Sequence, residues 1–227
     1  MAGLNLLMRR RALQANPSAG EPELSSYISD SVLLWLDGLT PGDTSIGWQD
    51  IVSGYYFNNF GAEHTISGWE FNGASYMDAD DRIINYGFAG VNRTLEVVVR
   101  FKSKAGSAPV MIGRTSGISF GLSSGTYALG NTSIQVPRVT PTEDLNVAVG
   151  FSVSNRSMQI AIENGVTLSL AGSQGAWSAA TYLRLGATPS KSIYLEGTIH
   201  AIRIHNRLLT QEELLYNQNL DKMRFAL

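Results

Sequence analysis

The residues of this chain equipped to do chemistry are a few lone acids, one acidic loop and three histidines. Glycoside hydrolysis needs two carboxylates facing each other across a cleft. Glu96, Glu163 and Glu196 each stand alone in a segment of strand-like character. No such pair is legible, and a protein without enzymatic activity is the expectation. Gly117-Ile118-Ser119-Phe120-Gly121 has the letters of a nucleophile elbow, but no helix signal follows it, so it reads as a strand. Asp78, Asp80 and Asp81 could supply part of a calcium site, because calcium takes several oxygen ligands. Their spacing is not that of an EF-hand, and a solvated turn capped by aspartates is the preferred reading. No cofactor is expected, calcium being the one candidate. His200 and His205 have opposite parity on one strand, which points them to opposite faces and argues against a shared metal. His64 lies in a loop beside Glu63, with no zinc-type spacing around it.

Rings crowd the first third, among them Trp48, Tyr55, Tyr56, Phe57, Phe60, Trp69 and Tyr76. They read mainly as core, since ring burial is the usual driving force. A sugar-binding face would instead leave rings exposed. Trp177, in the loop Gln174-Gly175-Ala176-Trp177-Ser178, is the better candidate for contact with a glycan, with core burial as its alternative.

The elements that must position these residues are strands. The 227 residues contain 23 glycines and only 16% charged residues, which favours short strands and tight turns over long solvated helices. There is no cysteine, so disulfides and thiolate metal sites are excluded. The net charge of −2 makes the body a poor nucleic-acid binder. No stretch of eighteen apolar residues is present to span a membrane.

Val32 to Leu36 is an apolar run closed by Asp37-Gly38. From Thr94 to Phe101 the chain alternates: Leu95, Val97, Val99 and Phe101 share one face, and Glu96, Val98 and Arg100 the other, as in a strand with one buried face. Leu145 to Phe151 alternates likewise. Gln159 to Glu163 and Val166 to Leu170 flank Asn164-Gly165, the signature of a type I′ hairpin turn. One helix is expected after Thr210, where Thr210 and Glu213 form a capping box.

The stretch from Leu195 to Leu214 resembles the closing strand and helix of laminin-G-like, concanavalin A-like jelly rolls. A glycine-led strand from Gly197 runs into Arg203-Ile204-His205-Asn206-Arg207, then a leucine and a capped helix, with His205 where the family usually has an aromatic. Leu34-Trp35-Leu36-Asp37-Gly38, Trp48-Gln49-Asp50, Phe71-Asn72-Gly73, Glu163-Asn164-Gly165 and Leu183-Arg184-Leu185-Gly186 follow in the family's order. The resemblance covers roughly residues 27–222. It implies an all-β sandwich of two antiparallel sheets with a short C-terminal helix, and a role in binding glycans or proteins.

Residues 1–24 stand apart as an arm and linker, and residues 25–227 form the domain. Leu4, Leu6, Leu7 and Met8 precede Arg9, Arg10 and Arg11. That order is the reverse of a secretion signal, so none is expected. The arm reads as an anchor, with leucines for an apolar groove and arginines for an acidic partner. It also resembles the N-termini of structural proteins of phages and prophages from gut Bacteroidales. Together these features make a virion structural protein the leading expectation: a capsid decoration, head fibre or tail component folded in the host cytoplasm. Such a protein would be homo-oligomeric and docked on other virion proteins through the arm. A carbohydrate-binding module for a surface polysaccharide is the alternative, and a glycoside hydrolase comes last.

Overall fold

A computed structural model of the chain describes residues 22–84, 92–102, 108–113, 119–123, 126–129, 135–137, 145–154, 157–162, 166–171 and 182–227. The arm residues Leu4, Leu6, Leu7, Met8, Arg9, Arg10 and Arg11, and also Glu163 and Trp177, lie outside the described residues.

In chain order the elements are β1 (Val32–Asp37), β2 (Gly47–Gln49), β3 (Tyr56–Phe60), β4 (Glu63–Thr65), β5 (Gly68–Asn72) and β6 (Tyr76–Ala79). One helical turn (Asp81–Ile84) precedes β7 (Arg93–Phe101), β8 (Ala108–Gly113), β9 (Ser119–Ser123), β10 (Thr126–Leu129) and β11 (Gln135–Pro137). Then come β12 (Leu145–Ser154), β13 (Ser157–Ile162), β14 (Val166–Ala171), β15 (Leu183–Leu185), β16 (Glu196–His205) and the C-terminal helix (Gln211–Arg224).

The strands form two antiparallel sheets, the all-β sandwich with a C-terminal helix that the sequence implies. The first sheet runs β14-β13-β12-β7-β16-β5-β4, with β1 also on β16; the second runs β11-β10-β9-β8-β15-β6-β3-β2. Between them lies the main core, including Leu34, Phe57, Phe71, Met77, Val97 and Leu185, none of which has measurable exposure. Burying a side chain of this size stabilises by about 1.5–3 kcal/mol.

β16 is the hub of the first sheet. One edge pairs with β7 along its length, while the other pairs first with β5 and then with β1. The family-like glycine at the start of β16 has a steric reason. A Cβ on Gly197 would lie 2.1 Å from the Arg100 carbonyl oxygen of β7. Gly186, at φ +77°, combines a left-handed backbone with a site where a Cβ would meet the Phe71 ring at 2.2 Å.

Asp50 explains why the turn after β2 ends in an aspartate. Its buried carboxylate accepts the backbone N–H groups of Trp35 (2.8 Å), Val52 (3.2 Å) and Ser53 (3.0 Å). Burial nonetheless pushes its pKa up.

The expected Asn164-Gly165 turn lies outside the described residues, and the strands on either side of it pair antiparallel with Ile162 opposite Val166. One expectation from sequence spacing is corrected. The register of β16 against β7 shifts between Ile199 and Ala201, so His200 is the extra residue of a bulge. Parity along β16 is thereby reset. Ile199, Ile202 and Ile204 join the main core. His200 lies against Phe225 at the helix end, and His205 reaches the acid layer beneath the same helix, so both sit on the helix-covered face.

Candidate functional site

The outer face of the first sheet is covered by the C-terminal helix. Thr210 caps that helix as its sequence indicates: its hydroxyl accepts the Glu213 N–H at 3.2 Å, and the Glu213 carboxylate accepts the Thr210 N–H at 2.8 Å. Glu213 also holds Arg207 through two bonds of 2.7 and 2.9 Å. The face that the helix buries is largely polar: Asn217, Gln218, Asp221 and Arg224 are buried beside Leu214 and Leu220.

Beneath it lies an ion-pair layer. Arg203 of β16 donates to Glu96 of β7 at 2.9 Å, and to both oxygens of helix residue Asp221 at 2.9 and 2.5 Å. His205 bonds the same Glu96 oxygen at 2.7 Å, and Asn217 donates to it at 3.2 Å. The Arg203 guanidinium also lies 4.7 Å from the Tyr27 ring centre. One turn further on, Arg224 grips both oxygens of Asp37 at 2.8 and 3.0 Å. Burial works to raise the Glu96 pKa, but the charge of Arg203 and the bonds from His205 and Arg203 overcome it and hold Glu96 at about 2.

Glu96, Asp221 and Arg203 are each no more than 4% exposed at the side chain. With the helix in place no substrate reaches them, and the layer fastens the helix to the sheet. In the sequence Glu96 reads as a lone strand acid, and Asp221 lies 125 positions away from it. The available signal was the spacing of Asn217, Asp221 and Arg224, which places three polar groups on one helix face.

The other histidines are also structural. A carbonyl only accepts, so His64 Nε2 donates to Gly38 O at 2.9 Å and His200 Nδ1 donates to Ser67 O at 2.8 Å. His200 Nε2 then faces Phe225 without a hydrogen-bond partner, and burial lowers the pKa of this ring.

Among the described residues, the outer face of the second sheet carries exposed and half-buried side chains. The crowd of rings in the first third divides there. Trp48, Phe57 and Trp69 are buried, while Phe60 is 47% exposed. β3 pairs with β6 so that Phe60 stands opposite Tyr76 and Asn58 opposite Asp78. The two rings stack with centres 4.6 Å apart and planes 10° from parallel. β15 then brings Arg184 opposite Asp78. Arg184 bonds both Asp78 oxygens, at 2.6 and 2.9 Å, and lies 4.9 Å from the centre of the Tyr76 ring.

The turn after β15 places Lys191 over the same ring, its Nζ 4.2 Å from the centre and donating to the Tyr76 hydroxyl at 2.6 Å. That turn is pinned by Thr188, whose hydroxyl accepts the N–H groups of Ser192 and Ile193, both at 3.2 Å. Lys191 itself adopts φ +54°, a left-handed conformation uncommon for a residue with a side chain.

The acidic loop is distributed over this face and its edge. Asp78 is paired with Arg184, and Asp80 takes Arg82 through two 2.8 Å bonds that hold its pKa at about 2. Asp81 is exposed at the start of the helical turn. A cation drawn to Asp78 or Asp80 would therefore compete with an arginine. Glu196 is exposed opposite Asn72 at the start of β16, away from Glu96 on the neighbouring strand's buried stretch.

No protein-family model and no curated protein sequence matches this chain. Among solved structures it is similar to Trypanosoma rangeli sialidase in complex with sialic acid, at TM-score 0.68 and 16% identity over 97% of this chain and 38% of that one. It is also similar to domain 4 of AbnA, a GH43 extracellular arabinanase from Geobacillus stearothermophilus, in complex with arabinotriose. That match has TM-score 0.61 and 15% identity over 84% of this chain and 98% of that one. A third is botulinum neurotoxin type C, whose passage into cells is dependent upon interaction with two ganglioside molecules, at TM-score 0.58 and 13% identity over 83% of this chain and 51% of that one. The chain spans 38% of the length of the sialidase. These matches correct the expectation of a protein without enzymatic activity. That expectation rested on the lack of paired strand acids, yet structures of similar fold include sialidases, which are enzymes. The spacing of acids along strands is a poor guide because acids meet across elements, as Glu96 and Asp221 do at Arg203. The chain shares with these three structures the fold of a β-sandwich.

Proposed function

We propose that this chain is a lectin-like glycan-binding domain and that the outer face of its second sheet takes the saccharide. The observation that carries the reading is the exposed Phe60 ring stacked on the half-buried Tyr76, beside Asn58, Asp78 and Arg184 on adjacent strands. Binding sites pair apolar and aromatic surface with a few placed polar groups. A pyranose matches that combination, with a C–H face for a ring and hydroxyls for an amide, a carboxylate and a guanidinium. Structures of similar fold described with sialic acid, arabinotriose or gangliosides support the same reading. The test is a glycan array read with the full chain and with Tyr76→Ala and Phe60→Ala. Retained binding in both variants would move the site elsewhere, with Trp177 next to be replaced.

A finer reading is that this domain is displayed on a phage virion, folded in the host cytoplasm and anchored by residues 1–24 to other virion proteins as a repeated, homo-oligomeric part. Its support is the arm sequence, in which Leu4, Leu6, Leu7 and Met8 precede Arg9, Arg10 and Arg11. Light scattering on the full chain and on a version lacking residues 1–24 tests it. A defined oligomer that becomes monomeric on truncation supports an assembly arm. Two monomers would count against self-assembly through the arm.

A further inference from the structure

We infer that the saccharide recognised on this face is acidic, and that Lys191 receives its carboxylate. The inference rests on the glycan-binding reading above and adds the charge of the ligand. Two cations, Arg184 and Lys191, lie over Tyr76. Asp78 and Arg184 cancel each other through two hydrogen bonds. Lys191 is left over. Its ammonium spends one proton on the Tyr76 hydroxyl, and among the described residues no carboxylate pairs with it. Two N–H donors and a full positive charge therefore remain beside Tyr76 and the exposed Phe60 stacked on it.

Lys191 is held there, rather than sweeping through solvent. The turn that carries it is closed by Thr188 N–H to Ile193 O and by Lys191 N–H to Thr188 O, both 2.9 Å, together with the Thr188 hydroxyl bonds. Ser190 and Ser192 share a 2.7 Å hydroxyl bond in the same turn. A lysine whose ammonium is already bonded to the Tyr76 hydroxyl loses less freedom on binding an anion than a free surface lysine does. The geometry suits a sugar whose ring lies on the exposed Phe60 and whose carboxylate turns toward Lys191. Uronic acids and nonulosonic acids share that chemistry.

An array carrying uronate-terminated and sialate-terminated oligosaccharides, each beside its carboxyl-reduced counterpart, tests the inference and separates the two sources. A charge-assisted bond predicts about a tenfold preference for the carboxylated member of a pair, shrinking with added salt. Lys191→Gln should bring the two members within about twofold of each other. Lys191→Gly, which suits the left-handed backbone, should do the same and guards against a folding defect. Equal binding of both members by the parent chain would overturn the acidic ligand and leave the glycan reading standing. A preference that survives Lys191→Gln would overturn the role of Lys191. Failure to bind any saccharide would bring down both readings.

Discussion

Arg203 sits between two buried carboxylates supplied by different elements, Glu96 of β7 and Asp221 of the helix. Neither acid can be solvated where it lies, so each depends on the guanidinium. Arg203→Met should therefore cost about 3–5 kcal/mol in urea unfolding, the penalty for stranding buried charge. A loss under about 1 kcal/mol would mean that the carboxylates reach water. The same layer sets a pH dependence. Glu96 titrates near 2 when folded, below its ordinary 4.5, so its contribution is complete above 4.5 and drains away as pH falls toward 2. Asp221, which burial pushes upward, opposes part of that loss. His200 acts at higher pH. Burial lowers its pKa, so the unfolded chain takes up the proton more readily, and stability declines as pH drops below 6.5. Thermal unfolding at pH 7.5, 5.5 and 3 should show successive losses. His200→Gln should remove the upper one.

The C-terminal helix is the element whose role the structure enlarges most. It closes the outer face of the first sheet, packing near β12 and β13 and pinning β1 and β16 through Arg224–Asp37 and Asp221–Arg203. Its start is set locally. Thr210→Ala removes the cap and should cost about 1 kcal/mol. Glu213→Ala should cost more, since it also removes two bonds from Arg207. Both are measured by chemical denaturation, and a larger effect from Thr210→Ala would show that the Arg207 pair contributes nothing. β16 shows how an element can defeat a periodicity argument. One bulged residue at His200 brings His200 and His205 to the same face, although five positions separate them.

The whole molecule is asymmetric in how its two sheets meet their surroundings. The first sheet is capped by a helix over a charged layer, while the second leaves Phe60, Tyr76 and Lys191 at the surface. A residue kept for a ligand contributes little to folding. Phe60→Ser should accordingly change stability by less than about 0.5 kcal/mol, as surface substitutions generally do. A loss of several kcal/mol in urea unfolding would return Phe60 to the core and remove it from the site.

The sandwich, its strand order of motifs and its capped helix are written in local chemistry: alternation at Leu95 to Phe101, turn glycines, and Thr210 with Glu213. These features depend on neighbours a few residues apart, which a sequence displays directly. The site does not. Phe60 and Tyr76 are sixteen positions apart, and Asp78 meets Arg184 across 106. The early rings look alike in the chain, yet strand register sends Phe57 inward and Phe60 outward. Glu96 reads as a solvent-facing acid until the helix, more than a hundred residues later, folds over it. Local spacing determined which elements form. Long-range register and the covering of one sheet face decided which side chains are left to meet a ligand, because burial and pairing are properties of the packed chain.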